Sequence, residues 1–144
     1  MTTGLSAYSK SKDGGFRLSK NFVVKEFACK DGTDVILVHP TLVIILQGIR
    51  DKFGVPVTIN SAYRTVTHNR KEGGKMFSQH LYGTAADIVV KGVDPIEVAR
   101  YAHKVMQGFG GVGLYPSFTH IDVRGSYARW DTRSGVEKSV NNFN

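Results

Sequence analysis

The sequence has almost no cysteine: Cys29 is the only one among 144 residues. A chain with one thiol forms no internal disulfide and cannot supply a metal site that needs several thiolates. Any metal bound within this chain must therefore be held by nitrogen and oxygen donors. A chain of this length can bury roughly two thirds of its unfolded surface in a single core, so covalent cross-links are not needed.

Long hydrophobic runs are also missing. The longest apolar stretches, residues 35–38 and 42–46, are far shorter than the roughly 20 residues that cross a bilayer. Residues 1–15 are rich in Ser, Lys and Gly and contain no apolar segment typical of a secretory signal. We therefore expect a protein that is made in the cytoplasm without a signal peptide and that does not insert into membranes.

Acidic residues are fewer than basic ones: the sequence has twelve Asp and Glu and nineteen Lys and Arg, for a formal net charge of +7. Such a charge favours anionic partners, among them nucleic acid, acidic lipid and an anionic cell wall, and it is also typical of a plain basic surface. The basic residues are scattered from Lys10 to Lys138. Because there is neither a dense basic cluster with interleaved aromatics nor a recognisable module, we expect no nucleic-acid partner.

Two segments have the pattern of helices that face a core. Residues 40–53 carry apolar side chains at helical spacing, and Gly54 followed by Val55-Pro56 ends the run. Asp94-Pro95-Ile96-Glu97 has the composition of a helix start, and this second helix is predicted to continue to about Gln107.

Strand patterns and loops account for most of the rest. The predicted strands are residues 57–63, residues 84–91 and a hairpin-like pair at residues 114–115 and 118–124. Residues 65–79 are predicted to form a long polar loop, and residues 108–113 a glycine-rich turn. These elements predict an α+β fold, with a small, mostly antiparallel sheet and two principal helices.

No internal repeat or low-complexity linker divides the chain. We therefore predict one folded domain over residues 16–133. A flexible N-terminal segment, residues 1–15, is predicted to precede it, and a polar tail, residues 134–144, to follow it.

Three residues are anomalous in their surroundings: His80, Asp87 and His120. Asp87 lies in a predicted strand of Ala, Ile and Val, where burying a carboxylate is costly unless a cation or a metal compensates. Gly83, between His80 and Asp87, permits a turn that returns the imidazole over the strand. Two imidazoles and one carboxylate on separate segments are typical of a zinc site with an open fourth position, here on the face of the sheet.

An open zinc position can hold an activated water, which indicates hydrolysis. A structural salt bridge between Asp87 and Arg64 is the alternative explanation for the strand carboxylate. Arg64 lies at the end of a predicted strand, where it can also bind a substrate carboxylate or stabilise an oxyanion.

Asp122 is predicted to share a strand face with His120, because side chains two positions apart point to the same side. There it can act as the general base. It can instead accept a hydrogen bond from the imidazole and fix that ring, and the two roles remain open. Ser78, Gln79 and Tyr63 are candidate substrate-binding residues.

The motifs resemble those of one known family. From about Leu18 to Trp130 the chain is similar to the zinc D-alanyl-D-alanine carboxypeptidase family of peptidoglycan peptidases, to which some phage lysins and tail-associated wall hydrolases are also similar. The pattern Ser-x-His-x-x-Gly-x-Ala-x-Asp with a later His is specific. The segments that carry the resemblance are residues 61–64, 78–87, 111–116 and 118–124.

The resemblance implies that His80, Asp87 and His120 bind Zn²⁺ and that Arg64 steadies the substrate or the transition state. It implies cleavage of peptide bonds in stem peptides or cross-links, of carboxypeptidase or endopeptidase type. The expected partner is a peptidoglycan peptide, the expected place of action is the cell wall, with a phage lysin or virion component included, and a monomer is expected.

One departure concerns the general base. Many relatives place an acidic residue three positions before the last His or a second His two positions before it, and here those positions hold Ser117 and Phe118. The base is therefore assigned to Asp122 on strand geometry. An inverted arrangement, with Asp122 on the metal and His120 as base, stays open, as does a non-catalytic zinc-containing module that binds cell wall or protein.

Overall fold

The computed structural model describes residues 4–144. Its helices are α1 (Lys10–Asp13), α2 (Pro40–Phe53), α3 (Val66–Lys71) and α4 (Pro95–Val105), and two 3-10 helices span Val24–Phe27 and Gln79–Tyr82. Its strands are β1 (Ser6–Ser9), β2 (Arg17–Ser19), β3 (Phe22–Val23), β4 (Val35–Val38), β5 (Val57–Ser61), β6 (Ala85–Val90), β7 (Gly110–Leu114), β8 (Thr119–Asp122), β9 (Tyr127–Asp131) and β10 (Lys138–Ser139).

The main sheet has six strands in the order β10-β9-β7-β8-β6-β5. All neighbouring pairs are antiparallel except β7 and β9, which run parallel. Two smaller sheets are formed by β1 with β4 and by β2 with β3. The predicted α+β fold, with a mostly antiparallel sheet and two principal helices, is confirmed.

Helices α2 and α4 contact each other and the middle of the sheet. Helix α2 begins with Pro40, and His39 Nδ1 accepts a hydrogen bond from the backbone N–H of Thr41. It ends at Gly54, whose φ of 66° is a left-handed conformation that glycine adopts without strain. Its bounds match the prediction, and its buried face is Leu42, Val43, Leu46 and Ile49.

Successive side chains of the central strands point alternately into the hydrophobic core and towards the opposite face, where the candidate site lies. Ala86 and Ile88 of β6 and Ile121 of β8 belong to the buried hydrophobic core. Asp87 and His120, the neighbours of these residues in sequence, therefore project from the opposite face of the sheet. The helix α4 ends at Val105, two residues before the predicted end. In residues 4–144 no helix combines the length and apolar composition that a membrane span requires.

The ends of the chain differ from the prediction of a flexible segment and a tail. Strand β1 pairs with β4 from Ser6↔Val38 to Ser9↔Val35, and residues 1–3 lie outside the described part. At the other end, β10 pairs with β9, and Phe143 is buried in the core. The partner of β1 lies far away along the chain, and the partner of β10 is β9, a strand that the sequence did not predict.

Residues 108–113 were predicted to be a turn, but Gly110–Leu114 is a central strand. Gly111 and Gly113 are needed there because no side chain fits at either position. A Cβ at Gly111 would lie 2.3 Å from Asp122 Oδ2, and one at Gly113 would lie 2.4 Å from Trp130 Cε2. The strand β9, which carries Trp130, was not predicted, and the predicted loop at residues 65–79 contains α3.

Candidate metal centre

Asp87 lies within β6, and the register pairs it directly with His120 in β8. His80 lies in the 3-10 helix that precedes β6. All three side chains are buried, and their potential ligand atoms lie within 4.8 Å of one another. The structure therefore brings together the three residues that the sequence singled out.

The His80 ring is oriented by its surroundings. Ser78 Oγ accepts a hydrogen bond from the His80 backbone N–H at 3.2 Å, which caps the 3-10 helix. The Nδ1 atom of His80 lies 2.7 Å from the carbonyl oxygen of Ala62. Because a carbonyl oxygen only accepts, Nδ1 carries a hydrogen, and Nε2, which lies 3.2 Å from Asp87 Oδ2, is the nitrogen available to a metal.

Gly83 allows the chain to turn between this 3-10 helix and β6. Its φ is 70°, and a Cβ at this position would lie 2.5 Å from the carbonyl oxygen of Leu37. Both the positive φ and the close approach exclude a larger residue. The predicted role of Gly83 in returning His80 over the strand is confirmed.

The imidazole of His120 lies between two carboxylates. Its Nδ1 atom is 2.9 Å from Asp87 Oδ1, and its Nε2 atom is 2.8 Å from Asp122 Oδ2. The indole of Trp130 packs against the ring at a centroid distance of 5.1 Å. With Nε2 engaged by Asp122, Nδ1 is the atom that faces His80 and Asp87.

Asp122 is fully buried and does not face the metal-ligand cluster. Its carboxylate accepts hydrogen bonds from the backbone N–H of Gly111 at 3.0 Å and from Arg124 Nε at 2.8 Å. This position matches the role of orienting His120 and does not support the general-base assignment. The inverted arrangement also lacks support, since His120 stands between Asp122 and the other donors.

Hydrogen bonding controls the charges of this cluster when no metal is bound. Burial opposes ionisation of Asp87, but hydrogen bonds from His120 and His80 hold its pKa well below the usual range. Burial lowers the pKa of His120, but its hydrogen bonds to Asp122 and Asp87 outweigh this and raise that pKa to about 9. A proton on His120 thus balances two buried carboxylates, as a cation at Nδ1 would.

The donor set fits Zn²⁺. Two imidazole nitrogens and a carboxylate are a common ligand set of catalytic zinc sites, with the fourth position open to water or substrate. Donors about 2.1 Å from one tetrahedral ion lie about 3.4 Å apart. The spacings of 3.2 Å between His80 and Asp87 and 2.9 Å between Asp87 and His120 are close to that value.

Arg64 borders the cluster. Its Nη2 lies 3.4 Å from Asp87 Oδ2, its Nε donates to Ser61 Oγ at 2.9 Å, and its Nη1 donates to Asn69 Oδ1 at 3.1 Å. The ion pair considered as an alternative to a metal site is therefore present alongside the cluster. Asn69, which is buried and also donates to the carbonyl oxygen of Lys75, was missed because no local pattern marks it.

The cluster opens into a cavity of about 790 Å³. Ser78 and Gln79 line this cavity, and Gln79 also accepts a hydrogen bond from Thr84 Oγ1. Tyr63, predicted to bind substrate, is not among the residues that line the cavity in the described part of the chain. Burial raises the pKa of its phenol, and the nearby charge of Asp31 adds to this.

Two aromatic residues of the cavity were missed by the sequence analysis. The Nε1 atom of Trp130 donates to the phenol oxygen of Tyr115 at 3.1 Å, and Tyr115 stacks on Phe118 at a centroid distance of 4.3 Å. Their signal was weak: Trp130 is the only tryptophan, and Tyr115 belongs to a segment that carries the family resemblance.

Comparison with known proteins agrees with this site. Over 44 residues the chain is 46% identical to the zinc D-Ala-D-Ala carboxypeptidase of Streptomyces albus G, and the match covers 30% of this chain and 17% of that protein. The chain therefore matches a small part of that relative's length. The model of the family described as Peptidase M15 matches residues 18–122, well over half of the chain. The protein belongs to the peptidase M15 family.

Proposed function

We propose that the protein is a zinc-dependent peptidase that hydrolyses peptide bonds in bacterial peptidoglycan, in stem peptides or in their cross-links. The observation that carries the proposal is the convergence of His80, Asp87 and His120 at the wall of an open cavity. Membership of the peptidase M15 family and the name of the Streptomyces albus G relative support it.

In this proposal His80, Asp87 and His120 hold the metal. Zn²⁺ bound there would lower the pKa of water towards about 7 and polarise the scissile carbonyl. Asp122 keeps the His120 ring in the orientation that leaves Nδ1 free for the metal. Arg64, held by Ser61 and Asn69, presents a fixed positive charge to the substrate carbonyl oxygen or to a substrate carboxylate.

The attacking water must lose a proton, and Asp122 is not placed to accept it. We assign this role to Glu137, which lines the cavity and forms an ion pair with Lys75 at 3.0 Å. The proton taken from water would then pass to the leaving nitrogen as the carbon–nitrogen bond breaks. Glu72, which lines the same cavity, contacts His68 at 3.3 Å instead.

The proposal also covers the binding partner and the place where the protein acts. A net charge of +7 favours residence on anionic wall polymers, so we propose action on the cell wall by a monomer, in the manner of phage lysins or virion-associated wall hydrolases. Both carboxypeptidase and endopeptidase products are compatible with a cavity that is open to solvent.

A second candidate is a non-catalytic zinc-containing module that binds cell wall or protein. Two observations favour it: Ser117 and Phe118 occupy the positions where many relatives carry the base, and Asp122 points away from the cluster. A fold can retain its metal ligands without activity.

The test is to incubate zinc-loaded protein with purified peptidoglycan and to identify released fragments by mass spectrometry. We expect peptide-bond cleavage, and His80→Ala should lose both zinc and cleavage. His103→Gln is the matched control, because His103 does not line the cavity and glutamine can still accept from Arg129. Stoichiometric zinc with wall binding but no cleavage would favour the non-catalytic module.

A further inference from the structure

A row of directly paired residues crosses the sheet at the metal centre. Asp87 pairs with His120, His120 pairs with Gly113, and Gly113 pairs with Trp130. Tyr115 lies two residues beyond Gly113, so by strand alternation it projects from the same face as His120. The cavity is consistent with this, since Tyr115 and His120 both line it.

Trp130 links Tyr115 to the centre. Because Gly113 has no side chain, the indole lies directly over it, and a Cβ there would be 2.5 Å from Trp130 Nε1. The same indole packs on His120 and donates its N–H to the phenol oxygen of Tyr115. A hydrogen bond therefore holds the phenol oxygen against the Trp130 indole, which itself packs on the proposed metal ligand His120.

The phenol hydrogen of Tyr115 remains available to a substrate. The indole N–H occupies a lone pair of the oxygen, and none of the hydrogen bonds within residues 4–144 uses the phenol as a donor. Stacking on Phe118, with 11° between the rings, holds the direction of the side chain. The Tyr115 hydroxyl can therefore donate a hydrogen bond to an oxygen of a bound substrate.

Electrostatics keep this donor protonated. Burial raises the pKa of Tyr115, and the negative charges of Asp87 and Glu137 raise it further, against the hydrogen bond from Trp130 and the charge of Lys75.

We propose that Tyr115 is a further catalytic residue, whose phenol donates a hydrogen bond to the scissile carbonyl oxygen as that oxygen gains negative charge. Tyr115 approaches from the β7 side of the cluster and Arg64 from the β5 side. The oxygen would thus receive donors from both flanks, while Tyr115 itself makes and breaks no covalent bond. This inference rests on the proposed peptidase function.

The test compares Tyr115→Phe with the zinc-loaded wild type. Phenylalanine preserves the stacking on Phe118 and removes only the hydroxyl. We expect kcat for peptidoglycan peptides to fall about 10² to 10³-fold, as on loss of one oxyanion donor, with little change in KM and unchanged zinc content. Tyr127→Phe is the matched control, since Tyr127 lines the same cavity and its phenol donates to Asn141.

A second measurement does not depend on turnover. A peptide phosphinate, whose tetrahedral phosphorus carries charged oxygens, should bind Tyr115→Phe more weakly by about the same factor as the loss in kcat/KM, whereas a product peptide should bind equally well. Calorimetry measures both affinities. If wild-type protein cleaves nothing, the proposed function fails, but the phosphinate comparison still tests Tyr115.

The inference is overturned if Tyr115→Phe retains wild-type phosphinate affinity. It is also overturned if Tyr127→Phe shows an equal loss, or if the loss in Tyr115→Phe is accompanied by loss of zinc. Each of those results would assign Tyr115 a structural role through Trp130.

Discussion

The carboxylate of Asp122 lies 2.8 Å from Nε2 of His120, on the opposite side of the imidazole from Asp87. Arg124 and the backbone N–H of Gly111 hold this carboxylate in place. Asp122 therefore leaves Nδ1 as the nitrogen of His120 that faces Asp87. We expect metal binding to depend on this buried support as well as on the three proposed ligands.

Replacing Asp122 with Asn should weaken zinc binding. The amide carries no charge to balance Arg124 or to hold the Nε2 hydrogen of His120, and loss of such a partner typically costs 10 to 100-fold in metal affinity. Competition with a chromophoric chelator measures this. Asp131→Asn, which removes a partly exposed partner of Arg133, is the control and should bind zinc normally. Equal affinities in the two variants would contradict the orienting role.

Zinc binding should release a proton at neutral pH. The pKa of His120 in the metal-free protein is about 9, above its ordinary value of 6.5, so His120 is charged at pH 7. Because a metal needs the neutral ring, binding at pH 7 should release about one proton from His120. Calorimetry at pH 7 in buffers of different ionisation enthalpy counts the released protons, and zinc binding without proton release would refute the prediction.

The same shift predicts how stability of the metal-free protein depends on pH. A raised pKa in the folded state contributes stability that is fully present below about pH 6.5 and is lost as the pH rises through about 9. The free energy of unfolding, from urea titrations with a chelator present, should therefore fall between pH 7 and pH 10. His120→Gln should remove most of this decline, and an unchanged slope in that variant would argue against His120 as its source.

Gly111→Ala should disturb the support of the centre. The new Cβ would lie 2.3 Å from Asp122 Oδ2, so the carboxylate must move, and we expect a loss of about 1 to 3 kcal/mol in unfolding free energy. Gly48→Ala is the control. Gly48 lies in helix α2 with open space at its Cβ position, and alanine should stabilise by about 0.5 to 1 kcal/mol. Urea denaturation measures both changes, and similar values for the two would count against the steric account.

Arg64→Lys should reduce catalysis while zinc remains bound. The guanidinium reaches Ser61, Asn69 and Asp87 at once, and an ammonium on a flexible chain cannot reproduce that fork. We expect kcat to fall about 10² to 10³-fold on a stem-peptide substrate. A variant with wild-type kcat would show that Arg64 serves only as a structural ion pair.

Glu137→Gln should lower kcat by about 10² or more, because an amide cannot accept the proton of the attacking water. Lys75→Gln breaks the same ion pair but keeps the carboxylate, so it should retain most activity. Glu72→Gln should also retain it, since that residue contacts His68. Equal losses in Glu137→Gln and Lys75→Gln would mean that the ion pair, rather than proton transfer, matters.

Some elements were predictable because their signals are local. Helix α2 was predicted with its observed bounds, since apolar spacing, Pro40 and the glycine at its end all lie within one segment. The strand β7 was misread as a turn, because its glycines are required by Asp122 and Trp130, which lie on other strands. Strand β9 was missed because it is stabilised by parallel pairing with β7.

The sequence by itself determined the chemistry of the centre: two imidazoles and a carboxylate, each costly where it stands, identify a metal site without knowledge of the fold. Only the tertiary structure decided the roles around it. Strand register decides whether Asp122 lies beside the three proposed ligands or on the far side of His120. It also decides whether Tyr115 lines the cavity. Those relationships arise from pairing between distant segments, which no local pattern of residues specifies.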